Sequence, residues 1–405
     1  MPFVVFAAPI LSTNASRMVE AVASLPGVRL GVITQDPAEK LSPALAPGVA
    51  HWRVDNILDS NQLLWAAREL TSRVGPIDRL LGAYEQLQVP LAEVRESLGI
   101  AGMRVDVAQR FRDKAEMKDA FRAAGLPCAR HSLAETADEA VAFARAIGYP
   151  VVIKPPAGAG AVSTFRADDE ASLREAMAKS APRAGHPALI EEFVVGDEHS
   201  LETISIDGRA VWHSLTHYYP TPLEVLRNPW IQWCVVLPRE VDDDRYDDIK
   251  AAGSRALDVL GMDTGLSHME WFRRRDGTIA ISEVAARPPG AQITTMNSRA
   301  HDIDFVHAWA EVMVFGTFQR PVRKYAVGTA FLRGQGSGTV RHVHGLDVIH
   351  REMGPLIVDM KLPSPGQAAA ATYEGEGYII LRDPDTAVVT RALQRLVSIV
   401  KVELG

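Results

Sequence analysis

The chain opens on a short apolar run rich in β-formers, residues 3–8. A loop through Pro9 and Asn14 follows, and Ser16 is placed to cap a helix running to about Ser24. Residues 28–34 read as a second strand, 55–73 contain a helix, and 77–82 read as another strand. Strands alternating with helices predict a small parallel α/β domain. No Gly-x-Gly-x-x-Gly follows the first strand, so a dinucleotide site is not indicated. Residues 105–124 carry a helical pattern closed by Gly125 and Pro127. A further helix spans 137–146, stopped by Gly148 and Pro150. Val151-Val152-Ile153-Lys154 predicts a buried strand with a lysine at its end, leading into a loop of small residues, 155–163. Residues 189–195 read as a strand and 241–260 as a helix. From about Tyr325 the pattern changes to a separate unit of short strands, Gly/Pro turns and a last helix, 385–399. No internal repeat is visible.

Two Asp-Gly dipeptides lie between β-rich runs, and each predicts a two-residue hairpin turn with positive φ. For Asp276-Gly277, counting outward from an Arg275–Thr278 pair puts Glu270 opposite Glu283. Alternation then places His268 and Glu270 on one face with Glu283, Ala285 and Arg287. Opposed carboxylates repel, and a divalent cation such as Mg²⁺ resolves the conflict; a solvated face where the repulsion is screened is the alternative. For Asp207-Gly208, the same count puts Glu202 near His213, as a structural pair.

Composition narrows the function classes. The chain has 405 residues, 47% hydrophobic and 23% charged, with a formal net charge of -7. At ~100–200 residues per domain, two or three domains are expected. The 50 acidic residues outnumber 43 basic ones, which form no long cluster, so nucleic acid is not an expected partner. No apolar run is long enough to span a bilayer. Cys128 and Cys234 are far apart and lack a Cys-x-x-Cys partner, which predicts inert thiols in a cytoplasmic protein rather than a disulfide or zinc site. The opening residues lack a basic flank and suit a core strand better than a signal peptide.

Lys154, at the end of an apolar strand, needs a partner for its ammonium. The loop after it, Pro155-Pro156-Ala157-Gly158-Ala159-Gly160-Ala161, is almost free of side chains, so its backbone can approach a polyphosphate. In isolation it reads rather as a surface turn beside a snorkelling lysine. The basic helix start Arg112-Asp113-Lys114-Ala115-Glu116-Met117-Lys118 reads alone as a solvated face.

Taken in order, these segments resemble the ATP-grasp superfamily. Residues 112–118 look like its RDKxxMK helix start. Gly148-Tyr149-Pro150-Val151-Val152-Ile153-Lys154 and the small-residue loop follow. Leu189-Ile190-Glu191-Glu192-Phe193-Val194 looks like the strand that reads adenine, and Gly196-Asp197-Glu198-His199-Ser200 is similar to the GxExS after it. His268-Met269-Glu270 and Glu283-Val284-Ala285-Ala286-Arg287 complete the series. The resemblance implies three units. Residues 1–105 would be an α/β domain preceding the ATP-grasp domain. Residues 106–325 would be that domain, with lobes at about 125–188 and 189–325. Residues 326–405 would be a small β-rich lobe.

The resemblance also implies roles. Lys114 and Lys154 would hold the phosphates of ATP, with Lys154 near adenine as well. The loop Ala157, Gly158, Gly160 to Ser163 would close over the phosphates. Glu191 and the backbone of Glu192, Phe193 and Val194 would bind the adenine edge, and Glu198 the ribose hydroxyls. Glu270 and Glu283 would hold Mg²⁺, or Mn²⁺ in its place. Arg287 would stabilise the transferring phosphoryl group or the acyl intermediate, with His268 beside it. The usual ExN carries asparagine where Ala285 stands, and an alanine methyl cannot coordinate a metal.

The HxE strand and the Arg287-Pro288-Pro289-Gly290 loop most resemble the ligases that join amino acids into dipeptides. The implied activity is ATP-dependent activation of a carboxylate as an acyl phosphate and its capture by an amine. Small-molecule carboxylate and amine are then the partners, and a homodimer is in keeping with such ligases. Arg287, Arg333 and His268 are candidates to meet substrate carboxylates. Tyr218, Tyr219, Trp230, Trp233 and Trp271 are candidates to line a side-chain pocket, with core packing as the alternative. Residues 218–238 are expected to shape acceptor specificity. A biotin-carboxylase-like enzyme using bicarbonate and a non-catalytic ATP-binding scaffold are the competing readings.

Overall fold

The computed structural model describes residues 1–158, 163–228 and 230–405. At the N-terminus, four parallel strands lie in the order Val49–Arg53, Arg29–Thr34, Phe3–Ala8, Arg79–Leu81. Every residue of Phe3–Ala8 is buried, as expected of a parallel strand covered on both faces. The first helix is Thr13–Ala23, and its cap is Ser12 rather than Ser16: the Ser12 hydroxyl accepts from the Ala15 amide at 3.3 Å. The second helix, Ser60–Val74, starts at the cap Asp59.

The single helix expected over 105–124 is two, Val105–Arg112 and Lys114–Ala123. Asp113 breaks it. Its backbone is extended, and its carboxylate accepts from the amides of Ala115 and Glu116 at 2.8 and 3.0 Å. A side chain that competes for helix amides favours a cap over a helix interior. Arg112 and Lys114 therefore flank a corner instead of following one another down a face.

Two antiparallel sheets follow. The smaller runs His131–Ala134, Ala188–Glu192, Val151–Lys154, Phe165–Ala167, backed by helices Ala137–Ile147 and Glu170–Ser180. The larger has eight strands: Ile279–Ala285, Gly265–Arg274, Gly196–Ile206, Arg209–Tyr219, Cys234–Leu237, Ala326–Leu332, Gly377–Asp383, Ile357–Lys361. The strands beyond residue 325 thus continue this sheet: Cys234–Leu237 pairs with Ala326–Leu332. The separate C-terminal sheet has only Gly334–Gln335, Lys401–Leu404 and Val340–His344. The strand expected to reach residue 195 stops at Glu192, and the helix expected from 241 begins at Asp247.

Both hairpins depart from simple counting. At Asp276-Gly277 the loop has three residues, with Arg274 N–H donating to Thr278 O and only Gly277 at positive φ. The strands then pair Arg273 with Ile279 and Trp271 with Ile281, and Ser282 bulges, so that Glu270 faces Glu283. At Asp207-Gly208 both residues have positive φ and the loop has two residues, as expected. There Val211 bulges, so Glu202 faces Ser214 and not His213. His213 turns to the opposite side, 3.9 Å from Asp242.

Candidate active site

One cavity of about 930 Å³ opens where the small sheet, the large sheet and the N-terminal domain meet. Lys114, Lys154, Glu198, Glu270, Glu283 and Arg287 all stand on its wall. So do Gly158, His268 and the run from Glu191 to Val194. Ala157 and Ser163 are exposed and lie off the wall. Gly160 lies outside the described residues.

The cationic end is built around the corner at Asp113. Lys114 is buried at the first helical position, its Nζ 3.2 Å from Glu283 Oε2. Lys114 Nζ and Arg112 Nη1 both donate to the carbonyl of Gly158, each at 3.0 Å. Lys154 Nζ sits 2.8 Å from Glu191 Oε2, and Lys118 Nζ lies 3.3 Å from the other oxygen. Lys118 is wholly enclosed and also donates to the Ser282 carbonyl. Burial pulls the Lys118 pKa down. For Lys154, burial works the same way, but Glu191 and Glu283 outweigh it and raise the pKa. Burial opposes the charge on Glu191, yet the two lysines hold its pKa below the usual range. Glu191 thus acts through its side chain, as the counter-ion that aims Lys154 at the cavity.

The Glu192 amide donates to Arg130 O at 2.8 Å and the Phe193 amide to Pro150 O at 3.3 Å. Those two donors are committed within the protein. Arg166 lies over the Phe193 ring, 4.4 Å from its centroid. Glu198 is buried on the wall; burial first, then the charges of Glu270 and Glu283, push its pKa well above the usual range.

Glu270 and Glu283 face each other across adjacent strands. Burial opposes ionisation of Glu283, but Lys114 and Lys154 outweigh it and hold its pKa down to about 2. Glu270 and Glu283 add to burial in raising Glu198, and a cation between the carboxylates would weaken that repulsion. Among the described residues, no three His, Cys, Asp or Glu side chains are arranged to hold a metal alone. Two carboxylates suit an ion that also takes phosphate oxygens, which fits Mg²⁺. His268 stands next to them, its Nδ1 2.9 Å from Glu202 Oε1 and its Nε2 3.7 Å from Glu270. Glu202 is fully buried and also accepts from Ser200 Oγ at 2.6 Å and Thr216 Oγ1 at 3.0 Å. Burial disfavours the imidazolium, but the hydrogen bond to Glu202 and the charge of Glu270 prevail and raise the His268 pKa to about 9. His268 pairs directly across from Ala285.

Part of the cavity wall is aromatic. Tyr218, Trp233 and Tyr373 line it, with Trp233 5.3 Å from Tyr218 and 4.7 Å from Tyr373 between ring centroids. Arg287 Nε meets Glu85 Oε2 at 2.8 Å, and Arg112 approaches the same carboxylate at 3.8 Å.

Other sequence candidates lie elsewhere. Trp271 is buried in the core on the opposite face of the sheet, while Tyr219 and Trp230 are largely exposed. Arg333 is buried behind the wall, its Nη1 directed at backbone carbonyls of residues 225, 228 and 231. Its reach is used up inside the protein, so it does not present its charge to the cavity. Reasoning from sequence missed Glu85, Lys118, Glu202 as the partner of His268, and Tyr373. Lys118 lay within the basic helix start; nothing local singled out Glu85 or Tyr373.

Residues 119–301 match the family model described as the ATP-grasp domain. The chain is 22% identical to the L-arginine-specific L-amino acid ligase of Bacillus subtilis over 67% of each chain. It is 26% identical to the alanine–anticapsin ligase of Bacillus subtilis (strain 168), over 61% of this chain and 57% of that protein. The crystal structure of an L-amino acid ligase from Bacillus licheniformis shares the fold, with a TM-score of 0.77 and 18% identity over 100% of this chain and 99% of that one. No helix among the described residues is long and apolar enough to cross a membrane.

Proposed function

Because residues 119–301 match the ATP-grasp domain model, we propose that the chain is an ATP-dependent carboxylate–amine ligase acting on amino acids or dipeptide-type substrates. The observation that carries this is the convergence on one wall of Lys114, Lys154, Glu270, Glu283 and Arg287, beside an aromatic recess with room for further substrates. A substrate carboxylate oxygen attacks the γ-phosphorus of ATP, the bond to the β,γ-bridging oxygen breaks, and ADP leaves. An amine then attacks the acyl carbon and phosphate departs. Phosphoryl transfer needs mainly positioning and charge neutralisation.

Lys114 and Lys154 would neutralise phosphate oxygens; for Lys114 these would replace Glu283 and the Gly158 carbonyl, while Glu191 would keep Lys154 aimed at them. Arg287 would meet the reacting carboxylate or acyl phosphate after releasing Glu85. Glu85, freed in turn, would accept a substrate ammonium. Glu270 and Glu283 would hold Mg²⁺, which supplies further charge neutralisation. His268, fixed by Glu202, would orient Glu270. With the amides of Glu192 and Phe193 already bonded, the adenine edge would rely on Val194.

The test is purified protein with ATP, Mg²⁺ and amino-acid mixtures, read by phosphate release and product mass. Amino-acid-dependent phosphate release with a new amide mass supports the ligase. Nucleotide binding without turnover on any mixture favours a scaffold, and turnover that requires bicarbonate and biotin favours a carboxylase.

A further inference from the structure

Part of the cavity wall hangs on a very short helix. Thr221, Pro222, Leu223, Glu224, Arg227 and Asn228 line it, and the helix itself is only Pro222–Arg227. Helices below about 12 residues are marginal without outside support, and the last carbonyls of any helix lack partners within it. Here side chains supply both ends. Thr221 Oγ1 accepts from the Glu224 amide at 3.3 Å, and Trp233 Nε1 donates to Pro220 O at 3.0 Å. At the other end Asn228 Nδ2 donates to Glu224 O at 2.8 Å.

Three carbonyls of this stretch also meet at one side chain; two of them, Val225 O and Asn228 O, accept the amides of Asn228 and Ile231 as well, at 3.2 and 3.0 Å. Arg333 Nη1 donates to Val225 O at 3.0 Å, Ile231 O at 2.9 Å and Asn228 O at 3.4 Å. Arg333 directly follows Ala326–Leu332, a strand of the large sheet in which every residue is buried. Its room to withdraw is limited: a Cβ added at Gly375 would lie 2.5 Å from Arg333 Cγ. One rigid strand therefore ties down a stretch of chain that has little secondary structure of its own.

We propose that Arg333 is the positioning residue of the substrate pocket: it ties Val225, Asn228 and Ile231 to the central sheet and so sets the wall that meets the substrate side chain. The claim about substrate rests on reading this cavity as a ligase site; the clamp itself does not. All three bonds come from one nitrogen, so a lysine ammonium has the donors but, on a shorter side chain, does not reach all three carbonyls. Arg333→Lys is therefore expected to fall between wild type and Arg333→Met.

The experiment compares wild type, Arg333→Met and Arg333→Lys in two arms. In ligand-free protein, amide hydrogen exchange at 221–231 should accelerate in Arg333→Met and less so in Arg333→Lys. Exchange in strands Gly196–Ile206 and Gly265–Arg274 should not change. Wild-type protection at 221–231 in Arg333→Met overturns the clamp, and so does acceleration spread evenly over the core strands. In the second arm, KM for the amino acid should rise about tenfold or more, since small misplacements of a positioning wall are costly. KM for ATP and affinity for a non-hydrolysable ATP analogue should stay constant. An equal change in ATP affinity overturns the specificity claim. A wild-type protein that turns over no amino acid removes the ligase reading and the specificity claim with it, while the exchange arm still decides the clamp.

Discussion

The two Asp-Gly hairpins of the large sheet make an instructive pair. The 265–285 hairpin has a loop one residue longer than its dipeptide suggests, and a bulge at Ser282. The two departures offset each other, and Glu270 meets Glu283 as a plain count predicts. The 196–219 hairpin has the expected two-residue turn but an uncompensated bulge at Val211, and Glu202 misses His213 by one residue. A register counted from a turn is therefore right only when the bulges between turn and site are counted too. The bulge at Ser282 also has chemical meaning. In an unbroken strand residues 281 and 283 share a face, yet Ile281 packs in the core while Glu283 lines the cavity. One extra residue rotates the strand so that both needs are met.

The sharpest way to break this comparison is at the end point. Glu283→Ala should lower phosphate release about 100-fold or more, in line with losing one electrostatic group at a phosphoryl-transfer site; retained turnover would sink the metal reading. Next comes the face switch. Ile281→Ala should cost about 2–5 kcal/mol in urea denaturation, as for a core isoleucine. A loss near zero would mean that Ile281 faces the cavity and Ser282 does not bulge.

Glu202 gives the third test, through pH. His268 has its pKa raised to about 9 in the fold, against ~6.5 when unfolded. The stability it contributes is thus fully present below about pH 6.5 and disappears as pH rises through about 9. Metal-free protein should lose on the order of 3 kcal/mol over that window. His268→Gln should flatten the slope, and His213→Gln should leave it intact. The reverse result would restore the pairing that simple counting suggests.

The smallest effect separates the turns. Asp276 accepts from the Thr278 amide and hydroxyl at 3.0 and 2.7 Å, so Asp276→Gly should cost about 1 kcal/mol. Asp207 stands at a φ of 49°, where glycine relieves strain, so Asp207→Gly should change thermal stability by less than about 0.5 kcal/mol. Equal losses would mean that the turns are of one type.

Legibility followed range and burial. Phe3–Ala8 and Val151–Lys154 were readable because interior strands are written as apolar runs. The carboxylate pair was readable because its partners are close in sequence. The Ser282 bulge left a trace, the apolar spacing lengthening from Ile279–Ile281 to Ile281–Val284, all three side chains being in the core. Glu85 left none: its partner Arg287 is 202 positions away, and only the folded chain brings them together. Arg333 looked like a substrate ligand because an arginine beside a strand is ambiguous until its acceptors are seen. The helix break at Asp113 was written in plain view, since aspartate before a run of helix formers is a cap signal.

The continuity of the large sheet past residue 325 bears on modularity. Strand Cys234–Leu237, buried along its whole length, has Ala326–Leu332 as its outer neighbour. A fragment ending at 325 would keep every motif of the site and expose that apolar edge, which invites pairing with other chains. The recombinable piece is the whole sheet, and a gene fusion or shuffling experiment that respects only the motif borders would yield an aggregate in place of an exchangeable part.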